Sequence, residues 1–253
     1  WDAHGKTLGQ PLSRLLGGFR DRLPTYASDG LWYSLSPGEL AAAAKAHVAQ
    51  GFGAVKLRLG REAAPELEAR RVQAVREAVG PDVRIMVDIN ETWSPTQARR
   101  GGRALQDAGI AWLEDPVHHL DFAGLADLRR QLEIPIAAGE HLYHLDAFRT
   151  LLEARAVDVL ILDLARVGGV TPWRKIAALA QAHRVPVCGH VVPEIQVHLL
   201  ASIPHGHQVE YVPRSAGILA AMPKIESGEL VAPSGPGLGL TLDEAAVRRY
   251  QVG

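Results

Sequence analysis

The chain has 253 residues, and its 27 Lys plus Arg against 28 Asp plus Glu give a formal net charge of −1 at pH 7, which excludes a nucleic-acid or membrane-surface binder held by bulk charge. Hydrophobic residues make up 47%, enough for a sizeable core, and a single α/β barrel accounts for a chain of this size. One cysteine leaves no internal disulfide and fits a reducing cytoplasm, while no apolar run approaches the roughly 18 residues of a membrane span.

Residues 1–18 read as one amphipathic helix that starts in mid-pattern, without an initiator Met or a capping residue, so an upstream segment is expected to be missing. From residue 23, short β-branched segments alternate with longer helical patterns. Strands are expected at 23–27, 54–58, 84–89, 110–114, 135–139, 158–163, 185–189 and 207–212, with helices near 37–50, 62–79, 95–108, 121–132, 145–154, 171–183 and 193–203. Ser94-Pro95 and Thr171-Pro172 both look like an N-cap followed by proline at the first helical position. Strict alternation implies parallel strands joined by right-handed crossovers. Eight strands and seven helices predict a modified TIM barrel, (β/α)₇β. After Pro223 the chain should leave the barrel as a loop, a short strand at 229–232 and a short helix near 242–250. Gly235 to Gly239 lie in a Pro-rich tail with no helix to open, so a loop is expected there and no dinucleotide cradle.

A barrel of this type carries its active site at the carboxyl ends of the strands. Strand two ends Lys56-Leu57-Arg58, strand three Asp88-Ile89-Asn90, strand four Glu114-Asp115-Pro116 and strand five Gly139-Glu140-His141; strand six ends at Asp163, strand seven at Gly189-His190, and strand eight carries Glu210. Asp88, Glu114 and Glu140 recur at an interval of 26 residues, one βα unit per step. Three carboxylates converging on one rim repel unless a cation joins them or some are protonated. All-oxygen ligands favour a hard ion such as Mg²⁺. Taken singly, each acid could be a helix cap or a solvated loop charge; the set of three points to a metal.

The motifs VKLRLG (55–60), MVDIN (86–90), WLEDP (112–116), AAGEH (137–141), LDLARVGGVTPW (162–173), CGH (188–190) and VEYV (209–212) together resemble the mandelate racemase subgroup of the enolase superfamily. The opening residues 1–18 and the closing PGLGL (236–240) fit the same pattern. The resemblance implies a barrel capped by an α+β domain built mostly from N-terminal sequence. It divides this chain into a helix linking that absent domain (1–22), a (β/α)₇β catalytic barrel (23–223) and a C-terminal return segment packing on the cap (224–253), the chain ends being remnants of the capping domain. It implies Asp88, Glu114 and Glu140 as Mg²⁺ ligands, Asp163 and His190 as a dyad with His190 the acid/base, and Glu210 as a hydrogen-bond donor or electrostatic partner to the substrate carboxylate. A homo-oligomer is the family habit.

The chemistry is coherent. Removing a proton α to a carboxylate places two negative charges on an enediolate, and a Lewis-acidic Mg²⁺ offsets several kcal/mol of that charge. Histidine suits proton transfer near neutral pH, and a carboxylate such as Asp163 fixes its tautomer. Members that racemise carry Lys-x-Lys on strand two, but here the second lysine is Arg58. Arginine keeps its proton in almost any site, so one-base chemistry fits better: Mg²⁺-dependent dehydration of an acid sugar, an aldonate or aldarate, to a 2-keto-3-deoxy product. Lys56 and Arg58 would hold the substrate carboxylate, or would merely neutralise nearby acids. Asn90, Glu91, His118, His119, His141, Arg166 and Glu194 follow strand ends and suit a polyhydroxylated substrate.

The alternatives are a hydroxy-acid racemase or epimerase, and a muconate-type cycloisomerase, which pairs lysines on strands two and six where this chain has Asp163. A zinc hydrolase using His141/His144 or His205/His207, and a non-catalytic binding protein, are the rivals from other classes. Cys188 in its apolar strand reads as structural, and Gly168-Gly169 as a tight turn rather than a phosphate cradle.

Overall fold

The computed structural model describes residues 1–251; the last two residues of the expected 224–253 segment lie outside the described residues. The opening is not one helix but two, α1 (Asp2–Leu8) and α2 (Leu12–Leu15). Gly9 closes α1 in the left-handed region at φ 63°, and Pro11, which has no N–H to donate, precedes α2. Amphipathic spacing alone hid that break.

Eight parallel strands follow: β1 (Arg22–Ala27), β2 (Ala54–Arg58), β3 (Arg84–Asp88), β4 (Leu113–Glu114), β5 (Ile136–Ala138), β6 (Val159–Asp163), β7 (Val187–His190) and β8 (Gly206–Tyr211). Each pairs with the next, and β1 closes the ring by bonding both β2 and β8. Seven helices lie between them: α3 (Pro37–Ala49), α4 (Glu68–Val79), α5 (Pro95–Asp107), α6 (Phe122–Gln131), α7 (Leu145–Glu153), α8 (Val170–Ala182) and α9 (Pro193–Ala201). The expected (β/α)₇β barrel is the observed fold. Strands β4 and β5 are shorter than expected, and Pro135 cannot donate to a ladder, which starts β5 one residue late.

The cap expected at Ser94 is a full capping box: its hydroxyl accepts from Gln97 N–H, and Gln97 Oε1 accepts from Ser94 N–H. The cap expected at Thr171 is absent. Gly169, at φ 101°, occupies the N-cap of α8, so Thr171 and Pro172 fall inside the first turn, and Thr171 Oγ1 instead accepts from the indole of Trp1 at 2.8 Å.

Period-two alternation splits the buried side chains into two sets. Outward-facing residues, among them Leu57, Val87, Leu113, Leu160 and Leu162, pack with the helices in a large cluster that includes Phe148 and Trp173. Inward-facing Tyr26, Ala54, Met86, Trp112, Ala137, Val159, Ile161 and Cys188 fill the barrel itself. Full burial of the larger aliphatic side chains among them, such as Met86 and Ile161, contributes roughly 1.5–3 kcal/mol each.

Beyond the barrel, β9 (Ile225–Glu226) and β10 (Glu229–Val231) form a hairpin whose second strand pairs antiparallel with the start of β1, and α10 (Glu244–Tyr250) follows. The strand at 229–232 and the last helix match expectation; β9 does not appear in it. Residues 236–240 form the expected loop and hold the opening segment: Leu12 N–H donates to Gly237 O at 2.7 Å and Leu238 N–H to Asp2 Oδ1 at 2.8 Å. Among the described residues, no helix is long and apolar enough to cross a membrane.

Candidate active site

Climbing toward the carboxyl ends of the strands, the inward positions change from apolar to ionisable. Ala54 is followed two residues on by Lys56 and then Arg58; Met86 by Asp88; Trp112 by Glu114; Ile161 by Asp163; Cys188 by His190; on β8 the polar Gln208 precedes Glu210. Register sets them level with one another, Arg58 opposite Asp88, Asp88 opposite Glu114 and Asp163 opposite His190. Glu140 joins the ring just past β5, where Gly139 at φ 132° turns the chain.

Asp88, Glu114 and Glu140 each offer an oxygen within 4.8 Å of the others, and all three are at most 2% exposed. Glu114 Oε1 lies 2.5 Å from Lys56 Nζ, and its Oε2 accepts from the Trp112 indole at 2.9 Å. Asp88 Oδ1 accepts from the Asn90 amide at 2.7 Å. Asp88 Oδ2 sits 2.8 Å from Arg58 Nε but lacks hydrogen-bond alignment, and Glu140 Oε2 has no hydrogen bond, although His190 Nε2 lies 3.3 Å away. Burial, reinforced by mutual repulsion, pushes Glu114 up to about 8 and Glu140 up to about 7. Buried carboxylate oxygens without partners, held this close, fit a hard divalent cation.

Beside them, His190 Nδ1 lies 2.6 Å from Asp163 Oδ2. Burial works to raise Asp163, but the hydrogen bonds from His190 and from the Arg166 amide outweigh it and hold the carboxyl below its ordinary value. An ionised Asp163 accepts the hydrogen bond from Nδ1–H, leaving Nε2 as the ring nitrogen that faces Glu140 Oε2 at 3.3 Å and Glu210 Oε2 at 3.9 Å.

Lys56 is not at an open rim. It is 1% exposed and paired with Glu114, with Glu210 Oε1 at 2.9 Å and with Asp88 at 3.9 Å. Glu210, expected as a hydrogen-bond donor or electrostatic partner to the substrate carboxylate, faces Lys56 and the backbone amide of Val191. Burial would raise its carboxyl, yet Lys56, His190 and the Val191 amide hold it down at about 2, so it is an acceptor. Arg58 lies at the rim, with its guanidinium over the Trp32 ring.

Three participants escaped the sequence. Trp112 faces inward because it lies two residues before Glu114, and alternation could have revealed it. Asp115 is fully buried with neither carboxylate oxygen hydrogen-bonded, and His141 Nε2 stands 3.5 Å from Oδ2 of Asp115 and from Oε1 of Glu140. Trp32 comes from the loop after β1, for which the sequence carried no signal. Asn90, Glu91, Asp115, Val191 and Val192 all adopt positive φ directly after strand ends, so strained backbone clusters at this rim.

Neither histidine pair weighed for zinc assembles a site. Among the described residues, the possible metal clusters include none of His144, His205 and His207. Cys188 is buried inside the barrel and its thiol is pushed far up by burial, as a structural cysteine should be.

Residues 39–246 match the family described as enolase C-terminal domain-like. The chain is 35% identical to the 3,6-anhydro-alpha-L-galactonate cycloisomerase of Streptomyces coelicolor, over all of this chain and 70% of that protein. It is 32% identical to the L-talarate/galactarate dehydratase of Salmonella typhimurium, over all of this chain and 63% of that protein. The crystal structure of L-talarate dehydratase from Polaromonas sp. JS666, complexed with Mg and L-glucarate, superposes with a TM-score of 0.93 at 35% identity, covering 98% of this chain and 69% of that one. Barrel, rim and relatives agree, and the chain belongs to the enolase C-terminal domain-like family of the enolase superfamily.

Proposed function

We propose that this protein is a Mg²⁺-dependent lyase that abstracts the proton α to a carboxylate and dehydrates an acid sugar to its 2-keto-3-deoxy product. The observation that carries this is the juxtaposition of three buried carboxylates within 4.8 Å of one another with a His190–Asp163 pair at 2.6 Å. Asp88, Glu114 and Glu140 would hold the ion, and bound there Mg²⁺ supplies a Lewis acid for the substrate carboxylate. His190 Nε2 takes the α-proton, while the Asp163 carboxylate stabilises the imidazolium. The electron pair left on the α-carbon forms the enediolate, then expels the β-hydroxyl, to which His190 returns the proton so that water departs. The enol then tautomerises to the ketone. Arg58 stands at the rim to bind and orient the anionic substrate; Lys56 and Glu210 form the buried pair beneath it. The proposed substrates are small acid sugars, of the kind named in the talarate/galactarate dehydratase and in the glucarate complex described above.

The cycloisomerase relative favours a second reading: the same proton abstraction, with a ring bond breaking in place of loss of hydroxide. A racemase or epimerase remains the alternative isomerase, but it needs a second base where Arg58 stands. A division into a linking segment (1–22), barrel (23–223) and return segment (224–253) is proposed with the function, supported by the pairing of β10 on β1. A cytoplasmic location and a homo-oligomeric state rest on the lone cysteine and on the family resemblance respectively.

The test is a panel of aldonates and aldarates with Mg²⁺, scored for 2-keto-3-deoxy product by mass, since dehydration loses water and cycloisomerisation does not. In deuterated water, solvent label at the α-carbon of recovered substrate reports reversible enolisation. Mg²⁺ binding with neither product nor label across the panel would defeat the proposal.

A further inference from the structure

A second pocket adjoins the carboxylate ring. It lies between the loop after β1 and the ends of β2 and β3, encloses about 140 Å³, and is lined by Trp32, Tyr33, Arg58, Arg61, Asn90, Thr92 and two aliphatic side chains. Its composition inverts that of the neighbouring rim: two guanidinium groups line it and no carboxylate does. Each guanidinium lies over an aromatic face, Arg58 at 5.4 Å from the Trp32 ring and Arg61 at 5.3 Å from that of Tyr33, which limits their freedom before a ligand arrives. The loop is tied to the strand end, because Arg58 N–H donates to Leu31 O at 2.9 Å. Arg58 is ion-paired with Asp88, its Nε standing 2.8 Å from Oδ2, while its two Nη atoms make no hydrogen bond, and Arg61 makes neither a side-chain hydrogen bond nor an ion pair among the described residues. Arg58 and Asn90 belong to both places, as Asn90 N–H also donates to Asp88.

A carboxylate whose α-proton is removed must lie over the three acids. A cationic pocket one side chain away therefore has work only if the substrate carries a second anion. We propose that this pocket receives the far carboxylate of a dicarboxylic acid sugar, so that the enzyme is selective for aldarates over aldonates; this rests on the acid-sugar function proposed above. The planar fork of an arginine matches a carboxylate or a phosphate in bidentate fashion, and the ligand panel separates the two.

The experiment compares kcat/KM for a six-carbon aldarate, the aldonate of the same stereochemistry and its 6-phosphate, in the wild-type enzyme, Arg61→Gln and Arg61→Lys. The wild type should favour the aldarate; Arg61→Gln should lower the aldarate-to-aldonate ratio about tenfold, and Arg61→Lys should fall between them. An unchanged ratio, or a preference for aldonate or phosphorylated aldonate, would overturn the assignment. Calorimetric binding of adipate and of hexanoate to the Mg²⁺-loaded protein provides a readout free of turnover. Adipate should bind tighter, and Arg61→Gln should remove that advantage; equal affinities in the wild type would refute the subsite. If no acid sugar is consumed, the acid-sugar function fails, and the adipate comparison alone still decides whether the pocket holds a second carboxylate.

Discussion

His190 and Asp163 stand directly opposite each other in the parallel pairing of β7 with β6, and that register brings Nδ1 within 2.6 Å of Oδ2. The pair needs no loop to assemble it. His190→Asn should abolish dehydration while Mg²⁺ still binds, as titration calorimetry would report; full activity in this variant would remove the histidine from the mechanism. Asp163→Asn should lower kcat by about 10²–10⁴-fold, because the wrong tautomer is then favoured.

The metal-free site should be sensitive to alkali. Glu114 and Glu140, ordinarily near 4.5, are raised to about 8 and about 7 by burial. Carboxyls raised in the folded state lend stability below their unfolded value, and it is lost as pH climbs through the folded values. Mg²⁺ reverses this by binding the ionised forms. The Tm increment produced by saturating Mg²⁺ should therefore be larger at pH 8 than at pH 6; an increment independent of pH would mean that the acids do not release protons to the ion. Glu140→Gln should weaken Mg²⁺ binding by at least about tenfold.

A different group should govern acid sensitivity. His198, on α9, is buried; its Nδ1 accepts the Ser13 amide proton at 3.2 Å and its Nε2 donates to Leu238 O at 3.0 Å, pinning both chain ends to the barrel. Burial holds its pKa below 6.5. A depressed histidine contributes stability that is complete above about 6.5 and is lost as pH falls toward the folded value. Urea midpoints should drop between pH 7.5 and pH 5.5, and His198→Gln should flatten that drop while costing about 1–3 kcal/mol at pH 7.5.

Gly139 sits between the last residue of β5 and Glu140, at φ 132°, and a Cβ there would lie 2.7 Å from Ile161 O. Gly139→Ala should destabilise by more than about 1 kcal/mol and weaken Mg²⁺ binding together, since the ligand hangs on this turn. Stability lost with metal affinity intact would show that Glu140 is placed by something else.

The cap of α5 offers a control remote from the chemistry. Ser94→Ala removes the hydroxyl that accepts from Gln97 N–H and should cost about 1 kcal/mol in urea unfolding.

The barrel was legible because alternation and strand spacing carry it, and the positions of Asp88, Glu114, Glu140, Asp163 and His190 followed from asking which residues end each strand. What stayed hidden depends on three-dimensional neighbours. The engagement of Lys56 by Glu114 and Glu210 needs partners 58 and 154 positions away in the chain, and the ionised state of Glu210 follows from that engagement. The break at Gly9 to Pro11 was written in the sequence, but a helical apolar spacing outweighed it. Thr171-Pro172 carried cap chemistry one turn too late, because the preceding glycines let α8 begin earlier. Trp32 had no local signature, since its position depends on how a loop folds back onto β2.

The passage from greasy to ionisable side chains within two residues along the inner faces of β2, β3, β4, β6 and β7 has a consequence for how this protein can change. Inserting or deleting a single residue within β3, for example, would swing Asp88 outward among the helices and turn Ile89 or Val87 toward the rim. Evolution can exchange the loops around this centre freely, but the staves tolerate length changes only in pairs.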